Sequence, residues 1–177
     1  MIFRKAIKND IYDIEKLIEF SRSSLKNDGV DQWQKTNPNL ALINRQIDED
    51  CAYVLDSDER AFAYAYLSKN EEPTYKVWED KFEGDKYFVI HTLMVDGGGV
   101  VKKAGSKFME AIIDFSKDKQ RDSLRIDTHK DNFRMRGLLN KYNFKEIGII
   151  QIDEDGILKD RICYELILWE IWAKKRL

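Results

Sequence analysis

Tyr87-Phe88-Val89-Ile90-His91-Thr92-Leu93-Met94-Val95 is followed by Asp96-Gly97-Gly98-Gly99, and then by a segment, Gly105 to Lys119, in which Phe108, Met109, Ile112, Ile113 and Ser116 share one helical face. The first nine residues are rich in β-branched and aromatic side chains, the composition of a buried strand. The glycines end it, and the change of hydrophobic period marks a helix. Downstream, Leu124 and Ile126 lie on a short strand ending at Thr128, and a helix starting near Asn132 carries Met135, Leu138 and Leu139. Two strand-to-helix units in succession point to an α/β fold.

The flanks extend this pattern. Ile2 to Ile7 reads as a first strand, and Asn9 and Asp10 can cap a helix with Asp13 in its first turn and Ile11, Ile14, Leu17, Ile18 and Leu25 on one stripe. Asn27-Asp28-Gly29 ends that helix. Asn37-Pro38-Asn39 opens a second, with Leu42, Ile43 and Ile47 as its apolar side. Ala52 to Leu55 and Ala61 to Leu67 read as strands around the turn Asp56-Ser57-Asp58-Glu59, and Glu71 to Asp85 is a polar excursion. Phe144 to Ile152 and Arg161 to Trp172 are expected to close the chain as two long strands joined by Asp153-Glu154-Asp155-Gly156. The order β-α-α-β-β-β-α-β-α-β-β predicts a mixed central sheet flanked by helices. No repeat or Gly/Ser linker interrupts residues 1–177, so a single domain is expected.

Composition narrows the function classes. The 177 residues are 43% hydrophobic, enough for a packed core. Thirty basic and 32 acidic side chains leave a net charge of -2, a mixed surface rather than a nucleic-acid footprint. No stretch approaches the roughly 20 apolar residues of a membrane span, and the first residues are too short in apolar character for a signal peptide. A cytoplasmic location, without membrane or nucleic-acid partners, is the expectation. Cys51 and Cys163 read as small core residues, and His91 and His129 without a Cys/His cluster argue against a metal site.

A strand that bends into a helix start exposes unpaired N–H groups at the positive end of the helix dipole, where phosphate binds. Lys102, Lys103 and Lys107 stand where they would meet a pyrophosphate, although such a turn also serves as plain connection. The second unit, Leu124-Arg125-Ile126-Asp127-Thr128-His129 followed by Asp131-Asn132-Phe133-Arg134-Met135 and Leu138-Leu139-Asn140-Lys141-Tyr142-Asn143-Phe144, carries a resemblance. Strand, Asn at a helix start, and a helix closing in a short turn before Phe resemble the coenzyme-binding half of the GNAT superfamily of N-acyltransferases. The order of elements is similar over nearly the whole chain, as are Asp10 and the loop Gly29-Val30-Asp31-Gln32-Trp33.

The resemblance implies a GNAT-like fold and acetyl-CoA as acyl donor, docked between the strand ending at Val95 and the strand ending at Thr128. By position, Leu93, Met94 and Val95 would bond the pantetheine arm. Val100, Val101, Lys102, Lys103, Ala104 and Gly105 would form the phosphate loop, and Asn132 would reach the cofactor. The family's loop reads Arg or Gln, x, x, Gly, x, Gly or Ala. Here Val100 stands at the polar position and Lys103 at the first glycine. Leu139 occupies the place of the family's acidic Tyr.

His91, on the central strand, is the candidate base, against the simpler reading of a half-buried His bonded to a neighbour. Asp127 would hold a His or a substrate ammonium. Trp33, Tyr75 and Trp78 would wall the acceptor cleft as exposed aromatics, or else pack loops onto the sheet. The implied activity is transfer of acetyl from acetyl-CoA to a primary amine of a small molecule, amino acid or peptide N-terminus by direct attack, in a monomer or homodimer. The alternative is a catalytically weakened coenzyme A-binding or partner-binding module.

Overall fold

The computed structural model describes residues 1–57, 60–98, 101–154 and 156–169. Seven strands form one sheet: β1 (Ile2–Lys5), β2 (Ala52–Ser57), β3 (Arg60–Ser68), β4 (Tyr87–Val95), β5 (Ser123–Thr128), β6 (Lys145–Glu154) and β7 (Ile157–Ile167), in the spatial order β1-β2-β3-β4-β5-β7-β6. The sheet is mixed: β4 and β5 run parallel, whereas β1–β2, β2–β3, β5–β7 and β6–β7 are antiparallel. Helices α1 (Ile11–Asn27), α2 (Leu40–Asp48), α3 (Ala104–Asp118) and α4 (Phe133–Lys141) flank it, in the element order expected from the sequence. The chain divides into two compact units, residues 1–67 with 91–111, and residues 68–90 with 112–177. Strand β4 contributes its first half to the second unit and its last five residues to the first.

The first unit is built on α1 and α2. Ile14, Leu17, Ile18 and Leu25 are buried at the spacing that places them on one side of α1. Ile14, Leu17, Ile18 and Ile43 pack with Ala52, Val54, Tyr64 and Met94. Asn39 caps α2 by accepting from Leu42 N at 2.9 Å. Asp10 stands at the N-cap position before α1, as expected, but its side chain makes no capping bond. Its carboxylate is drawn off by the Arg4 guanidinium (2.8 Å to each oxygen) and by Ile7 N–H (2.8 Å), because a buried charge takes the strongest donors in reach.

In the second unit Tyr75, Val89, Ile150 and Cys163 form a core, flanked by Trp78, Phe82 and Tyr87. The polar excursion holds a 3₁₀ helix over Pro73–Lys81 that kinks at Trp78. The last strand begins at Ile157, four residues before the expectation, and ends at Ile167; Trp172 lies outside the described residues, as do Asp58, Glu59 and Asp155. The early start follows from a tight hairpin: Gly156 takes φ +81, its N–H bonds Asp153 Oδ1, and pairing begins at Glu154↔Ile157. The hairpin's outer half bears exposed Ile157 and Leu158 beside half-buried Lys159, so it lacks the apolar alternation by which a strand is recognised.

Candidate active site

In the first unit the decisive feature is a break in β4. The β4–β5 register runs from Tyr87↔Ser123 to Ile90↔Ile126 and, among the described residues, goes no further, although β4 continues to Val95. Two residues on, Thr92 has φ +53. A β-branched residue in the left-handed region is an outlier that only its surroundings can hold, and such kinks re-aim strands near functional sites. His91 and Thr92 are both half-buried, whereas Ile90 before them and Leu93 and Met94 after them are buried. The expected coenzyme-bonding residues Leu93, Met94 and Val95 therefore follow directly on a left-handed residue. The end of β4 is pinned where Asp96 N donates to Phe62 O at 2.8 Å.

His91 lies beside Tyr66, ring centres 6.0 Å apart. The Tyr66 hydroxyl donates to Glu49 Oε2 at 2.5 Å, so the candidate base neighbours a carboxylate-linked phenol that the sequence reading did not single out. Nothing in the residue types flagged it, since Glu49 and Tyr66 are 17 positions apart on different elements.

Past the strand, Gly98 N donates to Asp96 Oδ1 at 2.8 Å, and a Cβ on Gly97 would lie 2.5 Å from Phe20. Local turn and packing needs thus account for both glycines; Gly99 and Val100 lie outside the described residues. Val101 and Lys102 lead to Lys103, which has φ +58. This is the residue at the family's first glycine position, and its backbone holds the left-handed conformation that favours glycine. Lys107 N makes the first intrahelical bond, to Lys103 O at 3.0 Å, so the amides of Ala104, Gly105 and Ser106 precede the helical ladder. Lys102 and Lys103 are exposed at the same helix start. A left-handed turn, early amides and two lysines suit a pyrophosphate.

In the second unit the structure joins two expected residues: the Tyr75 hydroxyl donates to Asp127 Oδ2 at 2.9 Å. Tyr75 is 3% exposed, and burial, reinforced by Asp127, pushes its hydroxyl well above the usual range, so it stays a neutral donor. Of the two readings open for these aromatics, exposed wall or packing of loops onto the sheet, the observed burial follows the second. Tyr75 is core, and Trp78 lies on Gly148, where a Cβ would meet its ring at 2.3 Å, while its indole N–H donates to Ile149 O at 2.9 Å. In the first unit Trp33, at φ +66, packs partly buried against the α1–α2 core. Loop aromatics beside an apolar sheet gain more by burial than by exposure. Asn132 caps α4, its Oδ1 accepting from Met135 N at 3.1 Å. Leu139 is fully buried and offers no proton.

Comparison with known proteins agrees with this geometry. The acetyltransferase (GNAT) family's sequence profile matches residues 10–144. No curated protein sequence matches the chain. Among solved structures, a GNAT-family acetyltransferase from Streptococcus agalactiae superposes with a TM-score of 0.81 at 27% identity over 94% of each chain. One from Listeria monocytogenes gives 0.71 at 18% over 94% of each chain. The Salmonella typhimurium protein yncA, solved with acetyl-CoA, gives 0.66 at 12% over 94% of this chain and 93% of that one. With the profile covering most of the sequence and the seven-stranded mixed sheet matching these folds, the chain belongs to the GNAT family of acetyltransferases.

Proposed function

We propose that this enzyme transfers the acetyl group of acetyl-CoA to the nitrogen of a primary amine, in a small molecule, an amino acid or a peptide N-terminus. The observation that carries this reading is the backbone of Lys103: the glycine of the phosphate loop is replaced, yet its left-handed conformation at the start of α3 is retained. Acetyl-CoA supplies a thioester whose carbonyl carbon an amine can attack. The amides of Val101, Lys102, Lys103, Ala104 and Gly105, with the lysine charges, would hold its pyrophosphate. Backbone groups of Leu93, Met94 and Val95 would bond the pantetheine and face the developing oxyanion. His91 would take the proton as the amine nitrogen bonds to the carbonyl carbon and the carbon–sulfur bond breaks. Coenzyme A leaves as a thiolate, which needs no strong acid near neutral pH; this agrees with a buried leucine at position 139. A cytoplasmic enzyme acting as a monomer or homodimer completes the reading.

Titration calorimetry with acetyl-CoA, followed by thiol release over a panel of amines, tests it. Saturable binding and amine-dependent thiol release are expected. Binding without release for any amine would favour a coenzyme-binding module instead, and no binding would overturn the proposal.

A further inference from the structure

Gln46 occupies a core position of α2, one turn on from fully buried Ile43, and is itself only 5% exposed. A buried amide must spend both ends on partners. Its Oε1 accepts from the Tyr64 hydroxyl at 2.8 Å, and its Nε2 donates to Thr92 Oγ1 at 3.4 Å. Tyr64 is fully buried on β3, and burial, the largest influence on it, pushes its hydroxyl upward, so it remains a neutral donor. A phenol that donates turns the amide's oxygen toward Tyr64 and its nitrogen toward Thr92. Thr92 is the residue at φ +53 that breaks β4. The chain of contacts therefore runs from buried Tyr64 on β3, through α2, to the positive-φ residue that immediately precedes Leu93.

We propose that Gln46 is a positioning residue: it holds Thr92 in its left-handed conformation and so fixes the direction of the Leu93 and Met94 amides. This rests on the acetyl-transfer reading for its consequence in catalysis, though not for its geometry. Gln46→Met keeps the volume and removes both bonds. Thr92→Val removes only the hydroxyl and leaves the core amide in place. Thr92→Gly supplies a residue that takes positive φ unaided.

The test combines steady-state acetyl transfer with the amide ¹H–¹⁵N shifts of Leu93 and Met94 in each variant. Gln46→Met and Thr92→Val are each expected to lower kcat about tenfold, with a smaller change in the amine KM, and to shift both amides. In the Thr92→Gly background, Gln46→Met is expected to change kcat by less than about twofold, because glycine no longer needs the clamp. Unshifted amides and full kcat in Thr92→Val would overturn the proposal, as would an undiminished loss from Gln46→Met in the glycine background. Wild-type protein that transfers no acetyl group would defeat the functional reading alone; the amide shifts would still decide the role of Gln46.

Discussion

Tyr87–Ile90 and His91–Val95 are consecutive halves of one strand with similar apolar composition, yet the first half pairs residue for residue with β5 and the second follows a left-handed threonine out of that register. Their supports differ in kind. Beside the first half, Glu165 is 2% exposed and accepts from Glu83 N (2.8 Å), Gly84 N (3.3 Å), Ser123 Oγ (2.7 Å) and Arg125 Nε (3.2 Å). The Arg125 guanidinium lies between the rings of Phe82 and Tyr87, 3.9 and 3.6 Å away, and donates to Gly84 O at 2.7 Å. A buried charge so fully bonded holds regular structure in place. At the second half, by contrast, an uncharged amide, Gln46, donates to Thr92 Oγ1 at 3.4 Å, and a backbone bond from Asp96 N to Phe62 O, 2.8 Å, closes the strand. The residue at positive φ and the fully bonded buried charge thus belong to different halves of one strand.

The largest expected effect is on the holding side. Glu165→Ala strands Arg125, Ser123 and two backbone amides, and should lower the unfolding free energy by about 3–5 kcal/mol in urea titrations. A loss below about 1 kcal/mol would mean that the network is ornamental and the contrast false.

On the chemical side, His91→Gln should reduce kcat at neutral pH about 100-fold while leaving acetyl-CoA affinity unchanged by calorimetry. An unchanged kcat in that variant would remove His91 as the base and leave the half-buried packing role.

Arg4 and Asp10 are the first unit's counterpart of the Glu165 network, and they test it by pH. Burial raises the Asp10 carboxyl, but the bonds from Arg4 and from Ile7 N–H together outweigh it and hold the group below its ordinary 3.8. A depressed folded value means that the unfolded chain binds the proton more readily. The stabilisation is therefore complete above about pH 4 and lost as pH falls through the lower folded value. Asp10→Asn should cost about 1.5–3 kcal/mol at pH 7 and flatten the stability curve across that acid window. An unchanged acid limb in the variant would show that other carboxylates govern it.

The smallest effect sharpens the comparison most. Lys103→Gly relieves a side chain from the left-handed region and should raise stability by about 1 kcal/mol, read as a higher urea midpoint. If Lys103 also meets a phosphate, the same variant should bind acetyl-CoA more weakly at low salt, with the difference shrinking as salt is added. Lower stability would show that the lysine side chain, not the turn, is what the position requires.

Much of this architecture was readable from spacing. The stripe Ile14, Leu17, Ile18 and Leu25, the bounds of Tyr87–Val95 and the buried face Phe108, Met109, Ile112, Ile113 and Ser116 follow from local periodicity, which burial enforces in the folded chain. The hairpin start at Ile157 escaped because an exposed strand carries no apolar alternation. Spacing left open whether the loop aromatics are exposed or packed; Trp78 and Tyr75 are packed, through contacts to Gly148 and Asp127, residues 70 and 52 positions away.

The sequence by itself determined the order of strands and helices and the family, because each depends on neighbours within a few turns of chain. Only the tertiary structure decided that Thr92 and Lys103 adopt positive φ, that Gln46 reaches Thr92 across 46 residues, and that Glu165 gathers its donors from positions 40 to 82 residues distant. Those are consequences of burial, where an unpaired polar group or a strained backbone persists only if distant parts of the chain close around it.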